Sequence, residues 1–132
     1  MSTKPVWIDR SLINSKAFTS LRRTQSAKVL LKFLSKRQFD KPRNKRDHWP
    51  VKNNGNITFT YAEASKWAGV SDRQFTQAID ELIENGFLKV AYQGAGSGDP
   101  SLYTLTANWQ KYGTSDFTPN PPRRKRTDRG AV

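Results

Sequence analysis

The sequence predicts a small α+β domain, a three-helix core closed by an antiparallel β-hairpin. Three observations carry that prediction. Ser71 to Gly86 forms one amphipathic helix with both ends marked, a shorter helix ending in glycine stands just before it, and two β-rich runs follow it.

A chain of 132 residues suits one domain with tails, and 35% hydrophobic content with a mean hydropathy of −0.80 leaves much polar sequence outside the core. The division expected is one domain over 1–118, with an N-terminal arm and a basic loop at 40–56, and a disordered basic tail over 119–132. The absence of cysteine removes disulfides and thiolate metal sites, and the lone histidine, His48, cannot supply the His-rich cluster of a zinc or acid–base site. No catalytic residue, metal ligand, cofactor or small-molecule substrate is therefore expected. No apolar run is long enough to span a bilayer and no apolar segment follows Met1, so the expectation is a cytoplasmic, nucleoid-associated protein with no membrane partner.

The formal net charge of +12 favours a polyanionic partner. Its distribution is uneven: residues 1–56 carry 14 Lys/Arg against 3 Asp/Glu, residues 57–111 carry 4 against 6, and residues 112–132 carry 5 against 2. Basic segments thus flank a slightly acidic centre.

Along the chain, Val6-Trp7-Ile8 suits a short edge strand or a packed arm. Leu12, Ile13, Ala17, Phe18 and Leu21 suit one or two helical turns. From Thr24 to about Gln38, Ala27, Leu30, Leu31 and Leu34, widened by Val29 and Phe33, mark an amphipathic helix. Its Lys28, Lys32, Lys36 and Arg37 project elsewhere, as a solvated face or as a phosphate track. Asp40 to Asn56, with two prolines and an Asn-Asn-Gly-Asn end, is a long basic loop. Within it His48 and Trp49 suit loop anchors better than stacking on a base. Ile57-Thr58-Phe59 suits a short strand. Thr60 and Glu63 form a capping box for a helix over Tyr61 to about Ala68 with Ala64, Trp67 and Ala68 buried, and Gly69 turns the chain.

In the next helix Ser71 and Gln74 form a second capping box. Phe75, Ala78, Ile79, Leu82 and Ile83 share one face at the 3.6-residue period, and Gly86 with Phe87 suits a Schellman ending. Opposite the apolar face lie Arg73, Gln77, Asp80 and Glu84, flanked by Gln74, Thr76 and Glu81. Leu88, Val90 and Tyr92 alternate in a first strand. Gly94 to Ser101 is a loop, and Leu102 to Thr106 a second strand with Leu102 or Tyr103 and Leu105 inward. The GAGSG run lies between strands and lacks a GK[ST] ending, so it is no phosphate cradle. Trp109, Tyr112 and Phe117 suit a segment folding back on the core. The final PNPPRRKRTDRGAV is disordered by composition, and its Arg123-Arg124-Lys125-Arg126 suits a nucleic-acid arm as well as a nuclear-localisation run.

Strand, helix, turn, helix, strand, loop and strand is the order of a winged helix-turn-helix, with the hairpin as the wing. The stretches SLINSKAFTSL with the long helix, NGNITFTYAEASKWAGVS, RQFTQAIDELIENGFLKV and SLYTLT together resemble winged helix-turn-helix proteins of bacteria and mobile elements. The likeness is to the DNA-binding domains of plasmid and phage replication initiators, over roughly Val6 to Phe117. It implies sequence-specific double-stranded DNA binding through the second helix, assisted by the wing, in transcription regulation or DNA replication. The alternative is a winged helix used for protein contacts or RNA, and a homodimer or a protein partner stays open.

The candidate base contacts are Arg73, Gln74, Thr76 and Gln77, near the helix start that a recognition helix inserts. The candidate phosphate contacts are Arg10, Lys28, Lys32, Lys45, Lys52, Ser71, Arg123, Arg124, Lys125 and Arg126. Asp80, Glu81 and Glu84 lie on or beside that same face, and the wing has no Lys or Arg from Gln93 to Leu102.

Overall fold

The computed structural model describes residues 8–40, 51–94 and 100–123. Val6, Trp7, Lys45, His48, Trp49, Arg124, Lys125 and Arg126 lie outside the described residues. The fold is α+β. Two single-turn helices, α1 (Arg10–Ile13) and α2 (Lys16–Thr19), precede α3 (Thr24–Ser35), α4 (Tyr61–Ala68) and α5 (Asp72–Glu84). The chain continues through β1 (Leu88–Tyr92), β2 (Leu102–Leu105) and a 3-10 turn at Asn108–Lys111.

The core lies between α3 and α5, where Val29, Leu30, Phe33 and Leu34 meet Phe75, Ala78, Ile79, Leu82 and Ile83. Of the apolar set read along α3, Leu31 departs: it is 41% exposed, because it lies about 100° round the helix from Leu30. Trp67 departs too. It is 40% exposed, its ring edge-on to Phe59 with the Lys32 ammonium 5.3 Å from its centroid, while Ala64 alone carries the buried side of α4. An eight-residue helix has one short stripe to bury, and the methyl of Ala64 fills it.

The capping box expected for α4 is half formed. The Thr60 hydroxyl accepts from the Glu63 amide, but the Glu63 carboxylate turns to Lys36 at the end of α3. In α5 both halves are present. The Schellman ending is complete: the Phe87 amide donates to Leu82 O at 2.9 Å and the Gly86 amide to Ile83 O at 3.2 Å, with Gly86 at φ +90°.

The expected strand at 57–59 is a single bridge. Ile57 and Tyr103 exchange both backbone hydrogen bonds, and Asn54 uses its side-chain amide as a surrogate strand, accepting from Leu105 N and donating to Leu105 O. The outer edge of β2 is thereby covered. β1 and β2 pair antiparallel from Leu88↔Leu105 to Tyr92↔Leu102, with a bulge between Val90 and Tyr92 that leaves Tyr92 47% exposed instead of inward. The basic loop is pinched at its base by a Phe39↔Val51 bridge and by Asn53, which bonds Gln38 N and Lys36 O.

The domain runs past the expected boundary at 118. Trp109 stacks on Phe87, Tyr112 meets Phe117 edge-on, and Asn120 donates to Leu88 O and Thr106 Oγ1. Asn120 thus ties the segment after 118 to the hairpin, through the Leu88 carbonyl and the Thr106 hydroxyl, which itself donates to Gly86 O.

Candidate nucleic-acid interface

Between α4 and α5 the chain makes a tight elbow. Gly69, at φ +64°, ends α4 in the left-handed region, Val70 is 1% exposed beneath the turn, and Ser71 caps α5. The Ser71 hydroxyl accepts from Gln74 N and the Gln74 Oε1 accepts from Ser71 N, each at 3.1 Å. These bonds fix the first turn of α5, whose unsatisfied amides carry the positive end of the helix dipole.

Arg73 and Gln74 are exposed on that turn, and Thr76 and Gln77 are half-buried on the next. The Thr76 hydroxyl is 2.9 Å from the Tyr61 hydroxyl of α4. Gln77 Oε1 accepts from Arg23 Nη1 at 3.0 Å, reaching across from the start of α3. Arg23, Thr24, Gln25, Gln74 and Gln77 line an open groove between the two helix starts.

Of the acidic residues beside this face, Glu81 and Asp80 are engaged, while Glu84 is exposed one turn beyond Asp80. Glu81 closes the start of α3, which has no capping side chain of its own: its carboxylate accepts from Arg22 N at 2.9 Å, Arg23 N at 3.4 Å and the buried Ser26 hydroxyl at 2.6 Å. It is a structural cap in trans. Asp80 is paired with Arg123, whose Nη2 lies 2.9 Å and Nε 3.0 Å from Oδ1. Arg123 Nη2 also donates to Thr76 O at 3.2 Å.

The sequence groups Arg123 with the phosphate-binding run; in the structure its guanidinium is bonded to Asp80 and to Thr76 O of α5. Burial opposes its charge, but the Asp80 carboxylate and the nearby Tyr103 and Tyr61 hydroxyls more than offset this and raise its pKa above the ordinary value. Burial in turn pushes the Tyr103 phenol up. The basic run Arg124-Lys125-Arg126 continues the chain directly from this anchor.

The other candidates are scattered. Lys28 is exposed two residues, about 200°, round α3 from Ser26, so it lies away from the side that meets α5. Lys32 is half-buried with its ammonium over the Trp67 ring, Arg10 opens α1 in an exposed position, and Lys52 is exposed beside the Phe39↔Val51 bridge. Ser71 is exposed at the elbow, its hydroxyl already accepting from Gln74. The structure therefore brings together Arg73, Gln74, Thr76 and Gln77, and adds Arg23, which sequence reasoning missed. A signal existed: two arginines at the positive end of a helix, with no acidic first-turn residue, call for a carboxylate from elsewhere.

Among the described residues no helix is long and apolar enough to cross a membrane, and no three His, Cys, Asp or Glu side chains are placed to hold a metal ion. Compared with protein-family models, with curated proteins and with solved structures, the chain finds no match.

Proposed function

We propose that the chain is a winged helix-turn-helix protein that binds double-stranded DNA in a sequence-specific manner, with α5 as the recognition helix and the β1–β2 hairpin as the wing. Its setting in this reading is transcription control or replication initiation in the cytoplasm. One observation carries the proposal: the first two turns of α5 offer Arg73, Gln74 and Gln77 outward beside Arg23, while Asp80 and Glu81, the carboxylates that would repel a duplex there, are paired with Arg123 and with the start of α3.

Arginine and glutamine are the side chains that read purine edges in the major groove, and a helix start favours close approach to phosphate. Arg124, Lys125 and Arg126 follow Arg123 in the chain and, in this reading, supply sequence-independent charge. The hairpin has no cation from Gln93 to Leu102, and in this reading its positive charge is limited to Lys89 of β1.

Selection from a random duplex pool at rising salt tests the proposal. A preferred sequence that survives as phosphate contacts are screened supports it. Retention of all duplexes alike, abolished together as salt rises, overturns it in favour of the protein-contact or RNA reading.

A further inference from the structure

The two glutamines on α5 are held the same way round. Gln74 Oε1 is engaged by the Ser71 amide and Gln77 Oε1 by the Arg23 guanidinium. An arginine can only donate, and so can a backbone amide, so in both side chains the oxygen must be the inward atom and the amino group the one left for a ligand. Among the described residues nothing accepts from either amino group. Arg73, exposed about 40° round the helix from Gln77, adds five N–H donors and no acceptor. Of the neighbouring acceptors, the Thr76 and Tyr61 hydroxyls bond each other, Gln25 Oε1 is buried away from solvent, and Asp80, a turn farther along, has its Oδ1 on Arg123. Asp72 lies about 140° round the helix from Gln77 and about 200° from Gln74, off this face.

We infer that the outward start of α5 is a donor-only surface whose base partner is guanine at two or more neighbouring base pairs, with Arg23 the positioning residue that holds Gln77 in its donor orientation. This rests on the DNA-binding reading above and sharpens it. Guanine shows the major groove two acceptors, N7 and O6, and no donor. Adenine pairs a donor with its acceptor, and glutamine reads it through both amide atoms, which the bonds to Ser71 and Arg23 prevent. Cytosine shows a donor and would face donors, and thymine offers only one acceptor, O4, beside its methyl group.

The test begins with duplexes selected by the unaltered protein, then replaces each selected guanine in turn by 7-deazaguanine, which lacks the N7 acceptor. A fall of roughly tenfold in affinity at two or more guanine positions, the order of one good base pairing, is the expected result. Two variants separate the side chains. Gln77→Glu, which replaces a donor by acceptors, should move one selected position from guanine to cytosine. Arg23→Ala should leave the melting temperature unchanged and admit adenine at that same position. Selected sites rich in adenine, or guanine sites indifferent to the removal of N7, overturn the donor-only inference while the DNA-binding reading stands. An Arg23→Ala protein that selects as the parent does overturns the positioning role. A pool that returns no preferred sequence overturns both readings together.

Discussion

On the inward side of α5, Phe75, Ala78, Ile79, Leu82 and Ile83 are each 2% exposed or less, and any comparably shaped apolar neighbour would serve them. On the outward side Thr76, Gln77, Asp80 and Glu81 are each held by a particular atom of a residue distant in sequence: Tyr61, Arg23, Arg123 and Arg22, at separations of 15, 54, 43 and 59 residues. The inward contribution is a sum over area, so it is large and tolerant of detail. The outward contribution is a set of single bonds near solvent, each small in energy and exacting in geometry. Stability therefore resides on one side of the helix and, under the proposed function, recognition on the other, so substitutions should separate the two.

The largest expected effect is on the inward side. Leu82→Ala should cost roughly 2–5 kcal/mol in denaturant unfolding, through reduced burial and the cavity left behind. A change under about 0.5 kcal/mol would contradict the packing of α5 on α3.

Next comes the end of the helix. At Gly86 an added Cβ would lie 2.7 Å from Trp109 N and 2.9 Å from Asn108 C, at φ +90°. Gly86→Ala should cost roughly 1–3 kcal/mol from the backbone conformation alone, with the clash in addition. Gly69→Ala meets nothing within 4 Å and serves as the control, incurring only the left-handed penalty of roughly 1–2 kcal/mol. Equal thermal shifts for the two would show that Asn108–Lys111 does not press on the helix end.

Glu81 tests where the two sides meet. Glu81→Ala removes the trans cap of α3 and the partner of buried Ser26, and should cost about 0.5–2 kcal/mol by thermal melting, with DNA selectivity kept. Changed base preference with unchanged stability would place Glu81 on the reading face instead.

Arg123→Ala should change stability by at most about 1 kcal/mol, since Asp80 is largely exposed, yet weaken binding to all duplexes alike. With its anchor released, the tail no longer starts at α5, and the slope of log affinity against log salt should fall by roughly 0.9 for each phosphate that is no longer neutralised. An unchanged slope would detach the tail from DNA binding.

Arg73→Ala has the smallest expected effect on folding, within about 0.5 kcal/mol, because its side chain is exposed on the open face. It should nevertheless remove roughly 1–3 kcal/mol of discrimination at one or two base pairs, read by competition between matched and mismatched duplexes. A parent-like selection profile would move the reading function off α5.

Helix α5, its capping box, its buried stripe and its Schellman ending were all legible in the sequence, because each depends on residues a turn or two apart along the chain. The hairpin and the return of Trp109, Tyr112 and Phe117 to the core followed from alternation and from the need to bury aromatic rings. The same local logic misplaced Trp67 and Leu31, since periodicity assigns a face but not how much of that face a neighbour covers. Only the tertiary structure decided that Glu81 caps α3, that Arg23 orients Gln77, that Asn54 closes the edge of β2, and that Arg123 leaves the tail to pair with Asp80. These are directional bonds between residues far apart in the chain, and no local propensity or period encodes which atom will meet which.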